Sequence, residues 1–125
     1  MSEEKQYFVV SVKWTERREP YITLWGPNNS GYRGRIENSG RYKHSDVMKH
    51  LGYYNTGHHT LAVPCELIEP LAVDIKPGWF DGEGGKWIPN NKANWDLILA
   101  NVIAKPKYPP KPRYRGAPKS HVFEG

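Results

Sequence analysis

The stretch "QYFVVSVKWT" (Gln6–Thr15) decides the fold of this chain. It is rich in β-branched and aromatic residues, which favour a pleated strand. Its alternate residues form one wholly apolar strand face: Phe8, Val10, Val12 and Trp14. A second strand-like run, "YITLW" (Tyr21–Trp25), follows after the short polar connection "ERREP". Two such runs with a short linker predict a β-hairpin.

The next segments add a third strand, a broken strand and two helices. "YRGRIE" (Tyr32–Glu37) predicts an exposed strand, and "HSDVMKHLG" (His44–Gly52) predicts a short helix with Ser45 as its N-cap. "TLAVPCELIEPLAV" (Thr60–Val73) is strand-like but interrupted by prolines, and "ANWDLILANVIA" (Ala93–Ala104) has helical spacing of apolar residues. This order predicts a small single α+β domain with an antiparallel sheet of three to five strands and one or two short helices packed on it.

The positive charge is confined to the last part of the chain. The net charge is +5, yet residues 1–104 contain twelve Lys/Arg and twelve Asp/Glu. Residues 105–125 contain six Lys/Arg against one Glu, together with five prolines. We therefore expect a compact domain over residues 1–104 and a basic, proline-rich extended tail over residues 105–125. We also expect residues 1–104 to fold without the tail.

Several protein classes are disfavoured by simple features. Cys65 is the single cysteine, which excludes an internal disulfide. No apolar run approaches the roughly 20 residues of a membrane helix. The first residues, "MSEEKQYFVV", lack the basic start and long apolar region of a signal peptide. These features predict a cytoplasmic location and no membrane partner.

No catalytic constellation stands out, and we expect no cofactor. Asp46, His50, His58 and His59 are weak candidates for metal ligands, but no HExxH or comparable spacing is present. Cys65 has no activating neighbour in sequence, so it is interpreted as a structural thiol. A small metal-dependent hydrolase remains the alternative from the enzyme class.

A Gly/Pro/Trp-rich loop (Asp74–Asn91) carries two candidate binding residues, Trp79 and Trp87. Exposed, these side chains would form a hot spot for a protein partner or stack on sugars or bases. The alternative is that the loop folds back and its tryptophans cover the sheet. "DGEGGK" (Asp81–Lys86) lacks the first glycine and the Ser/Thr of a phosphate loop, so a nucleotide site is rejected.

Two basic stretches supply the remaining candidate binding residues. The first lies between Tyr32 and His44 and contributes Arg33, Arg35, Arg41 and Lys43. The tail contributes Lys107, Tyr108, Lys111, Arg113, Tyr114 and Arg115. Cations interleaved with aromatics are typical of single-stranded nucleic-acid binding. The tail also contains a PxxPxK pattern at Pro106–Lys111 that SH3-type grooves recognise, and a purely solubilising role is the third possibility.

The order of four segments resembles short accessory proteins of tailed phages and prophages. These segments are "YFVVSVKWT", "YITLWGPNNSGY", "GRYKHSDVMKHLGYYN" and "LAVPCELIEPLAV", and the resemblance covers roughly residues 7–73 and not the tail. The chain is also similar in size and style to phage inhibitors of host defence complexes. That resemblance implies a stoichiometric binder without enzymatic activity, and it supplies no catalytic residues.

The leading expectation is a non-enzymatic, phage-type protein that binds a host protein or nucleoprotein complex, for example a CRISPR effector or a restriction enzyme. A neutral body with a cationic tail argues against mimicry of DNA. The alternative is a nucleic-acid-binding accessory protein that contacts DNA or RNA through the basic tail and the arginine-rich stretch. The sequence makes no prediction about oligomeric state.

Overall fold

The computed structural model describes residues 4–75 and 85–117. Within these residues the chain forms a five-stranded antiparallel sheet, a separate two-stranded sheet and four short α-helices, which confirms the predicted small α+β domain. The strands are β1 (Gln6–Ser11), β2 (Leu24–Trp25), β3 (Tyr32–Arg33), β4 (Tyr42–Lys43), β5 (Thr60–Pro64), β6 (Val73–Ile75) and β7 (Gly85–Trp87). The helices are α1 (His44–Lys49), α2 (Leu51–Tyr54), α3 (Cys65–Ile68) and α4 (Lys92–Ala100).

Strand β1 is the centre of the five-stranded sheet. Along one edge it pairs with all of β5, from Tyr7 opposite Pro64 to Ser11 opposite Thr60. Along the other edge it pairs with β4 near its start and with β2 at Val10. Strand β3 extends the sheet beyond β2, as the hairpin-rich sequence predicts. Both edges of β1 are therefore occupied.

Both faces of β1 are buried, so the sheet separates two cores. The larger core is built on one face from β1, β2, β5, α3 and α4; its largest buried residues are Phe8, Ile22, Leu24, Leu61, Ile68, Ile88, Trp95 and Ile98. The smaller core lies on the other face, under α1 and α2, and contains Tyr7, Val9, Tyr42, Val47, Tyr54 and Ala62. The sequence predicted one apolar face for this strand. The second face, which carries Tyr7 and Val9, is buried as well, because α1 and α2 cover it.

Helix α4 is present where the apolar spacing predicted it, but it ends at Ala100 and not at the predicted Ala104. The side chain of Asn91 caps it by accepting a hydrogen bond from the backbone N–H of Asn94 at 2.9 Å. Trp95 and Ile98 are fully buried on its core side, whereas Leu99 is 37% exposed. The apolar side of α4 is therefore narrower than the predicted one.

Helix α1 has a different N-terminus from the predicted one. It begins at His44, so Ser45 lies inside the first turn instead of capping it. The carboxylate of Glu4 takes over this role, because it accepts hydrogen bonds from both the hydroxyl and the backbone N–H of Ser45. These two hydrogen bonds lower the pKa of Glu4. Glu4, in the segment before β1, thus caps a helix that begins about forty residues later in the sequence.

The prolines interrupt the run from residue 60 to residue 73 as predicted. Pro64 ends β5, and Pro70 lies in a 3-10 turn (Glu69–Leu71) after α3. The single-turn helices α2 and α3 were not predicted from sequence. None of the helices in the described part of the chain is long and apolar enough to cross a membrane.

The described part of the predicted tail, residues 105–117, packs along the body. Tyr114 and Ala117 are buried in the larger core at 8% and 4% exposure. The backbone N–H of Tyr108 donates to the carbonyl of Thr56 at 3.1 Å. Its carbonyl lies so close to Gly57 that any β-carbon at residue 57 would overlap it, so a glycine is required there. Whether residues 1–104 fold without this segment remains a prediction.

These contacts lead us to expect that the segment stabilises the body. Tyr114→Ala should lower the free energy of unfolding by about 3 kcal/mol, because it removes a buried aromatic ring from the core. Tyr108→Ala, in the same segment but 44% exposed, should cost less than about 1 kcal/mol. Urea unfolding followed by circular dichroism measures both. Equal, small effects of the two substitutions would mean that residues 105–117 do not share the core.

Candidate functional site

Residues from distant parts of the chain meet beyond the end of β1. A guanidinium nitrogen of Arg113 donates to the carbonyl of Lys13 at 2.5 Å, across 100 residues. Arg17 donates to the carbonyl of Tyr114 at 3.4 Å, across 97 residues. The connection between β1 and β2 and the C-terminal segment are therefore joined side by side.

The side chain of Asn90 connects the segments that meet at this junction. Its side-chain N–H₂ group faces the carbonyls of Glu16, Glu19 and Arg113 at 2.9–3.1 Å. Its side-chain oxygen accepts a hydrogen bond from the indole N–H of Trp95 at 2.6 Å. Asn90 is only 8% exposed, so these partners satisfy a buried amide. One side chain thus ties α4, the β1–β2 connection and the C-terminal segment together.

A cleft of about 660 Å³ adjoins this junction, and three arginines line it. We call it the arginine cleft; its charged lining residues are Arg17, Arg18, Arg115 and Glu19. The side chain of Arg18 is 90% exposed, and its nearest carboxylate, Glu16, is 3.9 Å away. A contact of that length between exposed groups neutralises little of the arginine charge.

A stack of rings adjoins the junction on the side of β5. The imidazoles of His58 and His59 are stacked with centroids 3.8 Å apart, and Tyr108 lies 4.4 Å from His58. The ammonium of Lys107 is 5.4 Å from the ring centroid of Tyr108. The stack is attached to β1 because the carbonyl of His59 accepts hydrogen bonds from the backbone after Ser11. Partial burial lowers the pKa of His59, and the charges of its neighbours lower it further.

Together these features make one end of the sheet cationic. We call this region the basic end; its members are Arg17, Arg18, Arg113 and Arg115 at the junction, with Lys13 and Lys107 beside the ring stack, where Lys107 also lines a groove next to α2. The β1–β2 connection also contributes Glu16 and Glu19, so the region holds six cations and two carboxylates. Lys13, Arg17 and Arg18 are nearly balanced by these two carboxylates, so most of the excess positive charge comes from the C-terminal residues Lys107, Arg113 and Arg115.

An aromatic cleft of about 240 Å³ lies next to the arginine cleft. Its rings are those of Tyr21, Tyr32 and Trp87. Tyr21 and Trp87 contact each other with centroids 5.6 Å apart, and Trp14 contacts Tyr32 at 6.0 Å. Glu19 and Pro20 line both clefts, so the two share a wall.

The four cations predicted between residues 32 and 44 do not converge on one site. Arg33 lines the aromatic cleft, and one of its guanidinium nitrogens donates to the carbonyl of Tyr32 at 3.0 Å. The Nε atom of Arg35 lies 3.5 Å from the carboxylate of Glu37.

The other two lie at the opposite end of β1. Arg41 forms an ion pair with Glu69 at 2.9 Å, which raises the pKa of its guanidinium, and it lies over the ring of Phe8. Lys43 is exposed in β4. Arg41 therefore has a structural partner, and Lys43 is far from the basic end.

The predicted tail residues divide into exposed and buried ones. Lys107, Tyr108 and Arg115 are exposed at the basic end, and Arg113 is half-buried there. Lys111 is half-buried, and Tyr114 is part of the core. Of the two predicted tryptophans, Trp87 lines the aromatic cleft, whereas Trp79 lies outside the described residues.

The weak metal candidates are not assembled into a site. Asp46 lies on α1 and His50 directly after it, whereas His58 and His59 lie in the loop before β5. Within residues 4–75 and 85–117, no group of three or more His, Cys, Asp or Glu side chains is placed to hold a metal ion.

Sequence reasoning missed Arg17, Arg18, Tyr21 and Asn90. "ERREP" was interpreted as a polar connection, because its two arginines are balanced in the sequence by two glutamates and give no local excess of charge. Asn90 has no sequence signal, because its role depends on carbonyls that only the tertiary fold brings together.

Cys65 is a buried thiol at the far end of β5 from His58 and His59. The strand between them has five residues, which corresponds to about 17 Å. Burial raises the pKa of the Cys65 thiol to about 11, against a lowering effect of the nearby Arg41. A cysteine–histidine nucleophile is therefore not formed by these residues.

We expect Cys65 to be nearly inert in the folded protein. At pH 8, alkylation by iodoacetamide should be at least about 100-fold slower than that of a free thiol, because almost no thiolate is present. In denaturant the same thiol should react at the ordinary rate. Mass spectrometry over time measures both rates, and rapid alkylation of the native protein would contradict the buried assignment.

Comparison with known proteins adds no family to this description. No family model, no curated protein and no solved structure matched the chain. Its function is therefore inferred from its own geometry and charge.

Proposed function

We propose that this protein is a non-enzymatic nucleic-acid-binding protein that holds a phosphate backbone at its basic end. One observation carries the proposal: Arg17, Arg18 and Arg115, from two distant parts of the chain, line the same cleft. Arginine is suited to phosphate because its planar guanidinium presents several donors in a fixed geometry. Of the residues in the sequence-based hypothesis, the tail contributes Lys107, Arg113 and Arg115 to this region, whereas the arginine-rich stretch contributes none.

Electrostatics supports an anionic partner for this surface. Like charges held near one another repel and raise the free energy of the unbound protein. A polyanion relieves this repulsion and gains entropy, because its condensed counterions are released on binding. Asn90 holds the backbones of the two segments together, so the arginines are brought to the same cleft before a ligand arrives.

A host protein or nucleoprotein complex is the competing partner. Protein–protein interfaces are enriched in arginine and aromatic residues, so the residue types of the arginine cleft also fit a protein surface. Nucleic acid is favoured as the direct ligand because three arginines and a single carboxylate line one cleft, and this excess of positive charge suits the regular negative charge of a phosphate backbone. A role against a host defence complex would be exercised through bound DNA or RNA. A cytoplasmic location and a phage origin are supported by sequence features alone.

The decisive measurement is binding to fluorescent DNA and RNA, single-stranded and double-stranded, by anisotropy. We expect binding at about 50 mM salt that weakens steeply towards about 200 mM. Substituting Arg17, Arg18 and Arg115 together with Gln should reduce the slope of log affinity against log salt by about 2, because three phosphate contacts are lost.

A matched control removes the same charge from the opposite end of β1. The combined substitution of Lys5, Lys43 and Lys49 with Gln should leave affinity and salt slope nearly unchanged. Equal losses in the two triple variants would mean that binding follows net charge and not the arginine cleft. Absence of binding to any of the four ligands at low salt would overturn the proposal and leave the protein partner as the alternative.

A further inference from the structure

From the aromatic cleft we infer that the ligand is bound as a single strand, with one unstacked base in this cleft, stacked on the exposed ring of Tyr32 beside the contacting pair Tyr21 and Trp87. This inference rests on the proposed function, because it assigns the phosphates of the same strand to the arginine cleft. It adds the form of the nucleic acid and a base-binding site.

The aromatic cleft is held open by the backbone. Tyr21 forms a bridge to Pro89, and Trp87 forms a bridge to Arg35, so both rings are carried by paired segments. Gly34 lies against the indole of Trp87 so closely that a β-carbon at residue 34 would overlap the ring. The absence of a side chain at residue 34 therefore leaves room for the indole of Trp87 against the backbone.

The exposed rings at the rim leave apolar surface in water. Tyr32 is 49% exposed and its contact partner Trp14 is 48% exposed. Large side chains of this kind, in contact with each other and beside a cavity of about 240 Å³, form a stacking surface for a planar ligand. A base fits this description irrespective of its identity, because every base has an aromatic face.

The shared wall links the base to its phosphates. Glu19 and Pro20 line both clefts, so a strand whose base enters the aromatic cleft has its backbone directed over the arginines. The carboxylate of Glu19 can accept hydrogen bonds from the N–H groups of a base, whereas Arg17, Arg18 and Arg115 attract the phosphates. The shape and the charge of the two clefts therefore favour the same orientation, with the base in the aromatic cleft and the phosphates in the arginine cleft.

This geometry disfavours duplex. A paired base is stacked on both sides, and its insertion into a cleft requires unpairing and unstacking. We expect single strands to bind about tenfold or more tightly than a duplex of the same sequence at the same salt concentration.

The test uses the full chain and compares Tyr32→Ala with Tyr53→Ala. Tyr53 is 52% exposed on α2, away from both clefts, so it is a matched aromatic control. Tyr32→Ala should weaken single-strand binding about 5- to 100-fold through loss of stacking and leave duplex binding unchanged. Tyr53→Ala should change neither. Thermal melts check that both variants are folded.

A ligand-side comparison makes the result independent of protein folding. An abasic single strand keeps every phosphate and lacks the bases, so wild-type protein should bind it as weakly as Tyr32→Ala binds the normal strand. Equal affinities for normal, abasic and duplex ligands would overturn this inference. If the triple arginine variant still loses binding in that case, the proposed function stands; if no ligand binds at all, both fail.

Discussion

The burial of β1 on both faces and along both edges is the constraint on which the rest of the structure depends. Every residue from Tyr7 to Ser11 is buried, so each backbone group must find a partner in a neighbouring strand. Strand β5 supplies these partners along one edge, and β2 and β4 supply them along the other. Because both faces are apolar, helices have to cover the sheet on two sides, which places α1 and α2 opposite α4. The short elements around β1 are stable through this burial and not through their own length.

The sequence predicted the central elements because their signals are local. The β-branched and aromatic run of β1, the prolines at and after the end of β5, and the helical spacing of α4 are all contained in a dozen residues or fewer. The capping of α1 by Glu4 was not predictable in this way, because the carboxylate comes from a different segment and replaces the local Ser45. The burial of Tyr114 had no signal either, since it is surrounded in sequence by prolines and cations and finds its apolar contacts only in the folded core.

The candidate site was predictable in its residue types but not in its location. The tail cations Lys107, Arg113 and Arg115 were identified from charge, yet their partners Arg17 and Arg18 belong to a segment of zero average charge. Net charge is a sum, and it carries no information on how charges of opposite sign are separated in space. In this fold Arg41 has a carboxylate partner beside it, whereas the arginine cleft concentrates cations of two distant segments.

The long-range hydrogen bonds of Asn90, Arg17 and Arg113 also bear on how the protein is made. The arginine cleft combines residues 17 and 18 with residue 115, so it does not exist while the chain is only partly synthesised. Arg17 and Asn90 are synthesised first and find the carbonyls of Tyr114 and Arg113 only when the C-terminal segment has emerged. The two walls of the cleft therefore come together late, as a property of the complete domain and not of either segment alone.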